Sequence, residues 1–333
     1  MKIKIVNSIV LNWIIDAFFA QNQNKKIDFA VGGQAVLEGV MMRSPNNITI
    51  AMRKKDKSIK VYKKKYNTLT QRFKGLNIPI IRGVINLFEM MVIGAKAVNI
   101  SANEMLEDEL TPKEKAKLKK QKRTWETKLL EYVMFVTSLI FAIALSIFLF
   151  KFLPLWITTY LESKFQYLKE NYFVFNLIDG GLKMFMFLAY IWVLSLMPSF
   201  KRIFEYHGAE HKSIFTYENK LALDTKNAKK QSRFHPRCGT SFILIVFVIS
   251  IMVYTVLPKQ EDFLKNLTVR IGFLPLIAGI SYEYLKISAK YSKNIIVKGI
   301  VTPGLWFQRL TTREPNTKQL EVGLKSLKEA LIM

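Results

Sequence analysis

The sequence predicts an α-helical membrane protein with about four transmembrane helices and a small β-containing cytoplasmic region near the N-terminus. Three observations lead to this prediction. The 333-residue chain contains four long apolar windows, its mean hydropathy is positive at +0.14, and its formal charge is nevertheless +25. A soluble nucleic-acid-binding protein of that charge would be hydrophilic, whereas a membrane protein with one strongly basic side combines both properties.

The composition also excludes several other classes of protein. A single cysteine rules out a disulfide scaffold and is typical of a reducing compartment. Because half of the residues are hydrophobic, the chain is not a disordered tail. The long apolar windows argue against a simple cytosolic enzyme.

The apolar windows are long enough to form membrane helices, which need about 20 largely apolar residues. The four windows are 133–150, 184–200, 238–258 and 267–285. The first three carry no charge, whereas the fourth contains Arg270 and Glu283. Asp179 and Lys183 lie four residues apart just before the second window, so on a helix they can pair and lower the cost of placing either near lipid.

The distribution of lysine and arginine predicts which side each loop occupies. Residues 1–130 contain 25 of them, and the segments 198–240 and 285–333 contain 9 each. The connections 154–172 and 258–266 contain only two each. Four spans therefore place the basic regions and both termini in the cytoplasm, where 43 of the 50 Lys and Arg residues lie.

The N-terminal segment 1–28 is apolar as far as Phe19 but is interrupted by Asp16, and no small-residue cleavage site follows it. We therefore expect an interfacial helix at the membrane surface rather than a removed signal peptide. A frayed chain end is the alternative interpretation.

The following region, 29–110, has a β-rich first half. Ile48–Arg53 and Ile59–Tyr62 flank a polar turn and predict two strands. The glycine-rich stretch 31–43 has neither nucleotide-fingerprint nor phosphate-loop spacing, so we expect a tight turn packed against a membrane helix.

An apolar helix is predicted at 83–106, but it contains Glu89 and Lys96. If this helix crossed the membrane, the 16 Lys and Arg residues of 1–82 would face outside, against the charge rule. We therefore expect it to be interfacial, re-entrant or packed in the bundle.

A capping box at Thr111–Glu114 opens a basic juxtamembrane helix. Its lysines could attract anionic lipid or RNA phosphates, or simply form a solvated flank. The predicted organisation is 1–28, N-terminal segment; 29–110, β-containing region with the apolar helix; 111–132, basic juxtamembrane helix; 133–285, four-span domain with a cytoplasmic His/Cys loop at 198–240; and 286–333, basic cytoplasmic tail.

All three histidines and the only cysteine fall between residues 207 and 238. His207 and His211 lie four apart, so on a helix both project from one face. His235 and Cys238 are separated by a Pro-Arg pair that favours a turn. These four side chains form a three-nitrogen, one-sulfur set suited to Zn²⁺, with separate interfacial histidines as the alternative.

The number of ligands separates two mechanisms. If all four side chains bind, the zinc is saturated and structural. If one stays unbound, a water can take the open position and Glu210 can act as general base, as in the His-x-x-Glu-His zinc peptidases. The neighbouring basic residues could hold an anionic substrate or lipid headgroup, or could be ordinary cytoplasmic-side charge: Arg202, Lys212, Arg233 and Arg237.

Three stretches of sequence, 32–43, 206–212 and 235–241, together resemble the YqhQ-like family, over about residues 30 to 310. These are bacterial inner-membrane proteins of unknown function that are usually described as predicted metal-dependent enzymes. The resemblance implies a multi-pass bacterial membrane protein and metal ligation by His207, His211, His235 and Cys238. It does not imply a particular reaction.

Two functional hypotheses result. The first is a polytopic protein of the bacterial inner (cell) membrane with a cytoplasm-facing zinc site that acts as a metal-dependent hydrolase, with Glu210 as base. The second is a non-enzymatic factor with structural zinc, whose basic face docks on a ribosome, translocon or other membrane complex during membrane-protein biogenesis. The expected partners are the lipid bilayer, including anionic lipids, and such a complex; sequence-specific DNA binding is not expected.

Overall fold

A computed structural model describes residues 31–111, 114, 125–258, 260–290 and 295–332. The predicted N-terminal segment 1–28 and most of the predicted juxtamembrane helix lie outside the described residues. The strands are β1 Gly32–Val36, β2 Gly39–Arg43, β3 Asn47–Arg53 and β4 Ile59–Lys65. The helices are α1 Leu69–Arg72, α2 Ile81–Glu109, α3 Trp125–Ile147, α4 Leu153–Lys164, α5 Gln166–Glu170, α6 Tyr172–Leu196, α7 Pro198–Glu218, α8 Thr225–Lys229, α9 Gly239–Val256, α10 Phe263–Gly272, α11 Leu274–Lys290, α12 Ile295–Thr311 and α13 Thr317–Ile332.

The mainly helical fold with a small N-terminal β-sheet is confirmed. The sheet is antiparallel, in the order β1-β2-β3-β4. The two predicted strands are β3 and β4, and the glycine-rich stretch forms the β1–β2 hairpin, in which Gln34 pairs with Met41. The predicted tight turn is therefore present, but it is only the tip of this hairpin, where Glu38 has a φ of 51°.

Both faces of the sheet are buried, because alternate residues of a strand point to opposite sides. Val40, Met42 and Ala51 contribute to a core with α7 and α13. Ile50 and Met52 contribute to a second core with α2. The N-terminal region is thus a three-layer arrangement with one helical layer on each side of the sheet.

The C-terminal helix α13 is an integral part of this arrangement, although the sequence predicted only a basic tail. Thr49 Oγ1 donates to the carbonyl of Ser326 at 2.7 Å, and Arg53 pairs with Glu321 at 2.6 Å. Leu320 and Leu327 are almost fully buried. The sheet, α7 and α13 therefore form one packed body, which we call the head.

Helix α2 lies along the other face of the sheet for most of its length. Ile93 and Ala97 enter the core, and Lys60 donates to the Glu104 carboxylate at 2.6 Å. At its other end, Arg82 Nε donates to Glu283 of α11 at 2.7 Å. The helix therefore connects the sheet to the helical bundle.

Among the described residues, five helices are long and apolar enough to cross a membrane, one more than the predicted number of about four. They are Ile81–Glu109, Tyr132–Lys164, Tyr172–Leu196, Gly239–Val256 and Phe263–Ser288. The additional helix is α2. A π-helical turn at Phe148–Phe152 joins α3 to α4.

Candidate metal centre

Helix α7 presents two histidines on one face. It begins with Pro198 in its first turn, two residues after α6 ends. His207 and His211 are one turn apart, and their ring centroids are 4.4 Å apart. The predicted helical spacing of the two imidazoles is therefore realised.

Cys238 lies at the start of a different helix, beside the two histidines. It is the N-cap residue of α9, where its backbone leaves the preceding loop. Its Sγ lies 3.1 Å from His207 Nε2. One donor atom from each of His207, His211 and Cys238 lies within 4.8 Å of the other two, so a single ion could contact all three.

Both histidines are held in the orientation that metal-binding imidazoles require. His207 Nδ1 lies 2.8 Å from the carbonyl of Thr311, and His211 Nδ1 lies 2.5 Å from the carbonyl of Arg233. A carbonyl can only accept, so each Nδ1 carries the proton and each Nε2 is the unprotonated nitrogen, which has a lone pair for a metal. This is the outer-shell pattern that orients zinc-binding histidines.

His235 lies beside this group but is not one of its three members. Its ring centroid is 5.6 Å from that of His211. Its Nε2 lies 3.3 Å from the Glu218 carboxylate, and its Nδ1 accepts from the backbone N–H of Arg237 at 3.3 Å. Since both ring nitrogens are engaged, His235 would have to exchange a hydrogen bond for a metal bond.

Glu210 is buried next to the group, with 5% of its surface exposed. Its carboxylate accepts a hydrogen bond from the backbone N–H of Gly33 in β1. A Cβ at Gly33 would lie 2.9 Å from Glu210 Cγ, so this close approach requires glycine. Burial raises the pKa of Glu210 to about 8, against the opposing effect of His207.

The pKa values of the other side chains favour metal ligation. Burial alone would raise the pKa of the Cys238 thiol, but His211 and hydrogen bonds involving Thr240 outweigh it and lower that pKa. Burial lowers the pKa of His211, and the neighbouring Cys238 opposes this effect. A thiolate and neutral imidazoles are the forms that bind Zn²⁺.

The four basic side chains around the group already have protein partners. The pairs are Arg202 with Glu38, Lys212 with Glu314, Arg233 with the Thr312 carbonyl, and Arg237 with Glu218. These contacts fix α7 and the loop before α9 against the sheet and the α12–α13 connection. The four cations therefore support the site rather than forming an open anion pocket.

Several residues that shape the site were not predicted from sequence. The carbonyls of Thr311 and Arg233 orient the histidines, but backbone acceptors have no residue-type signature. Buried Gln308 holds the loop by donating to the His235 carbonyl at 2.6 Å. Gly33 lies in a stretch that the sequence singled out as glycine-rich, and its role as a neighbour of Glu210 required the fold.

Comparison with known proteins agrees with the resemblance seen in the sequence. Residues 78–333 match the family described as "Protein of unknown function (DUF1385)". The chain is also 33% identical over 308 residues to the "Uncharacterized protein YqhQ" of Bacillus subtilis, covering 92% of this chain and 93% of that protein. No solved structure matches it. The chain therefore belongs to the DUF1385 family, the YqhQ-like proteins of unknown function.

Proposed function

We propose that this protein is a four-span protein of the bacterial cell membrane, with a cytoplasmic zinc site that catalyses hydrolysis. The observation that carries the proposal is the three-residue group of His207, His211 and Cys238, whose donor atoms lie within 4.8 Å of one another. The head carries this group, and the basic loops favour the cytoplasm as its location.

Contacts between elements support the proposed number of spans. Strand β1 contacts α7 through Gly33 and Glu210, which supports a placement of the sheet and α7 on the same side of the membrane. An even number of crossings must therefore separate them. The spans Tyr132–Lys164 and Tyr172–Leu196 supply two, and a crossing by α2 would make three.

The exposed surface of α2 fits a helix that lies on the membrane instead of crossing it. Phe88 and Met91 are 67% and 73% exposed. They lie on the face of the helix opposite Ile93 and Ala97, which pack on the sheet. A helix with one face on a folded domain and an apolar outer face fits the membrane–water interface. Of the three placements expected for 83–106, we therefore propose the interfacial one.

Reporter cysteines introduced one at a time test this topology. Lys64→Cys on β4, Glu109→Cys at the end of α2 and Lys169→Cys in the connection before α6 all replace exposed residues. With a membrane-impermeant maleimide, only Lys169→Cys should react in intact cells, whereas the other two should require permeabilisation. The native Cys238 is only 8% exposed, so we expect it to contribute little background labelling. Labelling of Glu109→Cys from outside would mean that α2 crosses the membrane.

The proposed chemistry depends on an open ligand position. A zinc ion with three protein ligands keeps a fourth position for water and lowers that water's pKa toward about 7. His207, His211 and Cys238 would hold the ion, and Glu210 would accept the proton as general base. A nearby cation would also lower the pKa of Glu210, which favours the ionised carboxylate that a base requires.

Cobalt substitution tests the open position without knowledge of the substrate. We expect the Co²⁺ protein to show a thiolate charge-transfer band and to change its visible spectrum when azide binds. Glu210→Gln should retain the ion but shift the pH dependence of that spectrum. A spectrum that is insensitive to azide would contradict the hydrolase and favour saturated, structural zinc.

Two observations favour the second hypothesis, a non-enzymatic factor with structural zinc. The buried His235 ring lies 5.6 Å from His211 and could become a fourth ligand after losing its contact with Glu218. Lys63, Lys64 and Lys65 of β4 are exposed and give the head a basic edge suited to an anionic partner. Salt-sensitive co-sedimentation with ribosomes, or with anionic liposomes, tests this docking function.

A further inference from the structure

We propose that Lys151, Lys183 and Arg270, gathered around the Tyr254 ring inside the helical bundle, bind a phosphate group. The cluster lies far from the metal centre. Along α9, Tyr254 is about 24 Å from the end that Cys238 caps. The inference is therefore independent of whether the head binds zinc.

The cluster brings three cations to one aromatic ring. Arg270 is centred 4.7 Å from the centroid of the Tyr254 ring, and the ammonium groups of Lys151 and Lys183 are 5.4 and 5.5 Å from it. Lys183 and Arg270 are each only 2% exposed. Such contacts with a ring face attract each cation but do not neutralise its charge.

One carboxylate is shared among these charges. Asp179, 1% exposed, accepts from Lys183 and, at 2.6 Å, from Arg270 through the same oxygen, Oδ2. Its second oxygen is buried and has no hydrogen-bond partner in the part of the chain that the structure describes. With both lysines protonated, the three cations exceed the one carboxylate that the described residues place among them by two positive charges, which is costly in a low-dielectric bundle.

Among the described residues, most hydrogen-bond donors of the cluster that remain free belong to the lysines. Arg270 already donates to Asp179, Asn176, Asn266 and the Tyr172 hydroxyl. Among the described residues, Lys151 donates only a long bond of 3.3 Å to the Tyr254 hydroxyl, although an ammonium group has three donors. Lys151 is also half-buried, so it is more accessible to a ligand than Lys183 and Arg270.

The backbone between α3 and α4, where Lys151 lies, is π-helical. The π-helical turn at Phe148–Phe152 contains this residue, and such turns occur often at functional sites. A free phosphate ion carries nearly two negative charges and a lipid phosphodiester carries one, so either offsets the excess of the cluster, fully or in part. Lysine binds phosphate as a compact point charge. The phosphate could be a free ion or part of a lipid headgroup, and both sources would meet the same lysines.

Thermal unfolding of the delipidated full-length protein in a phosphate-free detergent tests the proposal. We expect inorganic phosphate, or a short-chain phosphatidylglycerol, to raise the midpoint saturably by about 5 °C at constant ionic strength. A response to only one of them identifies the source. No response to either, or an equal response to chloride, would overturn the proposal.

Matched variants separate binding from a purely structural role. Lys151→Met should lose the response, whereas Lys164→Met, which removes an exposed lysine from the same helical run, should keep it. Without phosphate, Lys151→Met should be at least as stable as wild type, because it removes a repelling charge. Should Lys151→Met fail to fold, Lys183→Met provides the same comparison. A lysine variant that responds like wild type would contradict the assignment.

Discussion

Replacing Cys238 with serine is expected to reduce bound zinc from about one ion per chain to less than about a tenth of that. Cys238 supplies the only sulfur of the three-residue group, and its Sγ lies 3.1 Å from His207 Nε2. Serine is close to cysteine in size, but its hydroxyl is not ionised at neutral pH and is a poor zinc ligand. Elemental analysis of the purified protein by mass spectrometry measures the loss.

His235→Gln is the matched comparison for this prediction. Because both nitrogens of His235 are engaged by Glu218 and the Arg237 backbone, this variant should keep its zinc. Glutamine can still hydrogen-bond to Glu218, so the loop should keep its position. Loss of zinc in His235→Gln as well as Cys238→Ser would indicate four ligands and a saturated ion. Retention of zinc in Cys238→Ser would contradict the site.

The second large effect is expected at Asp179. Asp179→Asn removes the one carboxylate that Lys183 and Arg270 share, and both cations remain buried. Removing one partner of a buried ion pair typically costs about 3–5 kcal/mol of stability. We therefore expect a large fall in the midpoint of thermal unfolding, measured on the detergent-purified protein.

Two comparisons make this prediction specific. Glu321→Gln breaks an ion pair with Arg53 in which the Glu321 side chain is 46% exposed, so it should cost less than about 1 kcal/mol. Combining Asp179→Asn with Lys183→Met should recover part of the lost stability, because one unpaired cation is removed. If Asp179→Asn is as stable as wild type, the Asp179 carboxylate does not stabilise the buried Lys183 and Arg270 as their contacts imply.

The sequence predicted those features that depend on local periodicity and residue type. The long apolar helices, strands β3 and β4, and the pairing of Asp179 with Lys183 all follow from spacing along the chain. The capping box is also confirmed, since the Thr111 N–H donates to the Glu114 carboxylate at 2.8 Å and the Glu114 N–H donates to the Thr111 hydroxyl at 3.4 Å. These features need no knowledge of which elements touch.

Features that join distant segments could not be predicted in this way. Ser326 lies 277 residues from Thr49, and no local pattern indicates that α13 covers the sheet. Likewise, Arg270 was predicted only as a charge near the end of a span, and its contact with Asp179 depends on how two helices pack. The interfacial face of α2 became visible only when the sheet was seen to occupy its opposite face.

In the candidate site, too, some features follow from local sequence and others depend on tertiary contacts. The spacing of His207 and His211 predicted their common face, and residue type predicted Cys238 as their partner. His235 has the same chemistry, but the sequence could not show that Glu218 engages its ring. The number of ligands, and with it the choice between hydrolytic and structural zinc, therefore depends on tertiary contacts.

X-ray absorption at the zinc edge of the purified wild-type protein tests the central claim most directly. We predict about one zinc per chain, with one sulfur ligand at about 2.3 Å and three nitrogen or oxygen ligands at about 2.0–2.1 Å. We also predict that the His235→Gln spectrum is unchanged, because the fourth ligand is water. A protein without zinc, a spectrum without sulfur, or a spectrum altered by His235→Gln would contradict an open three-ligand site.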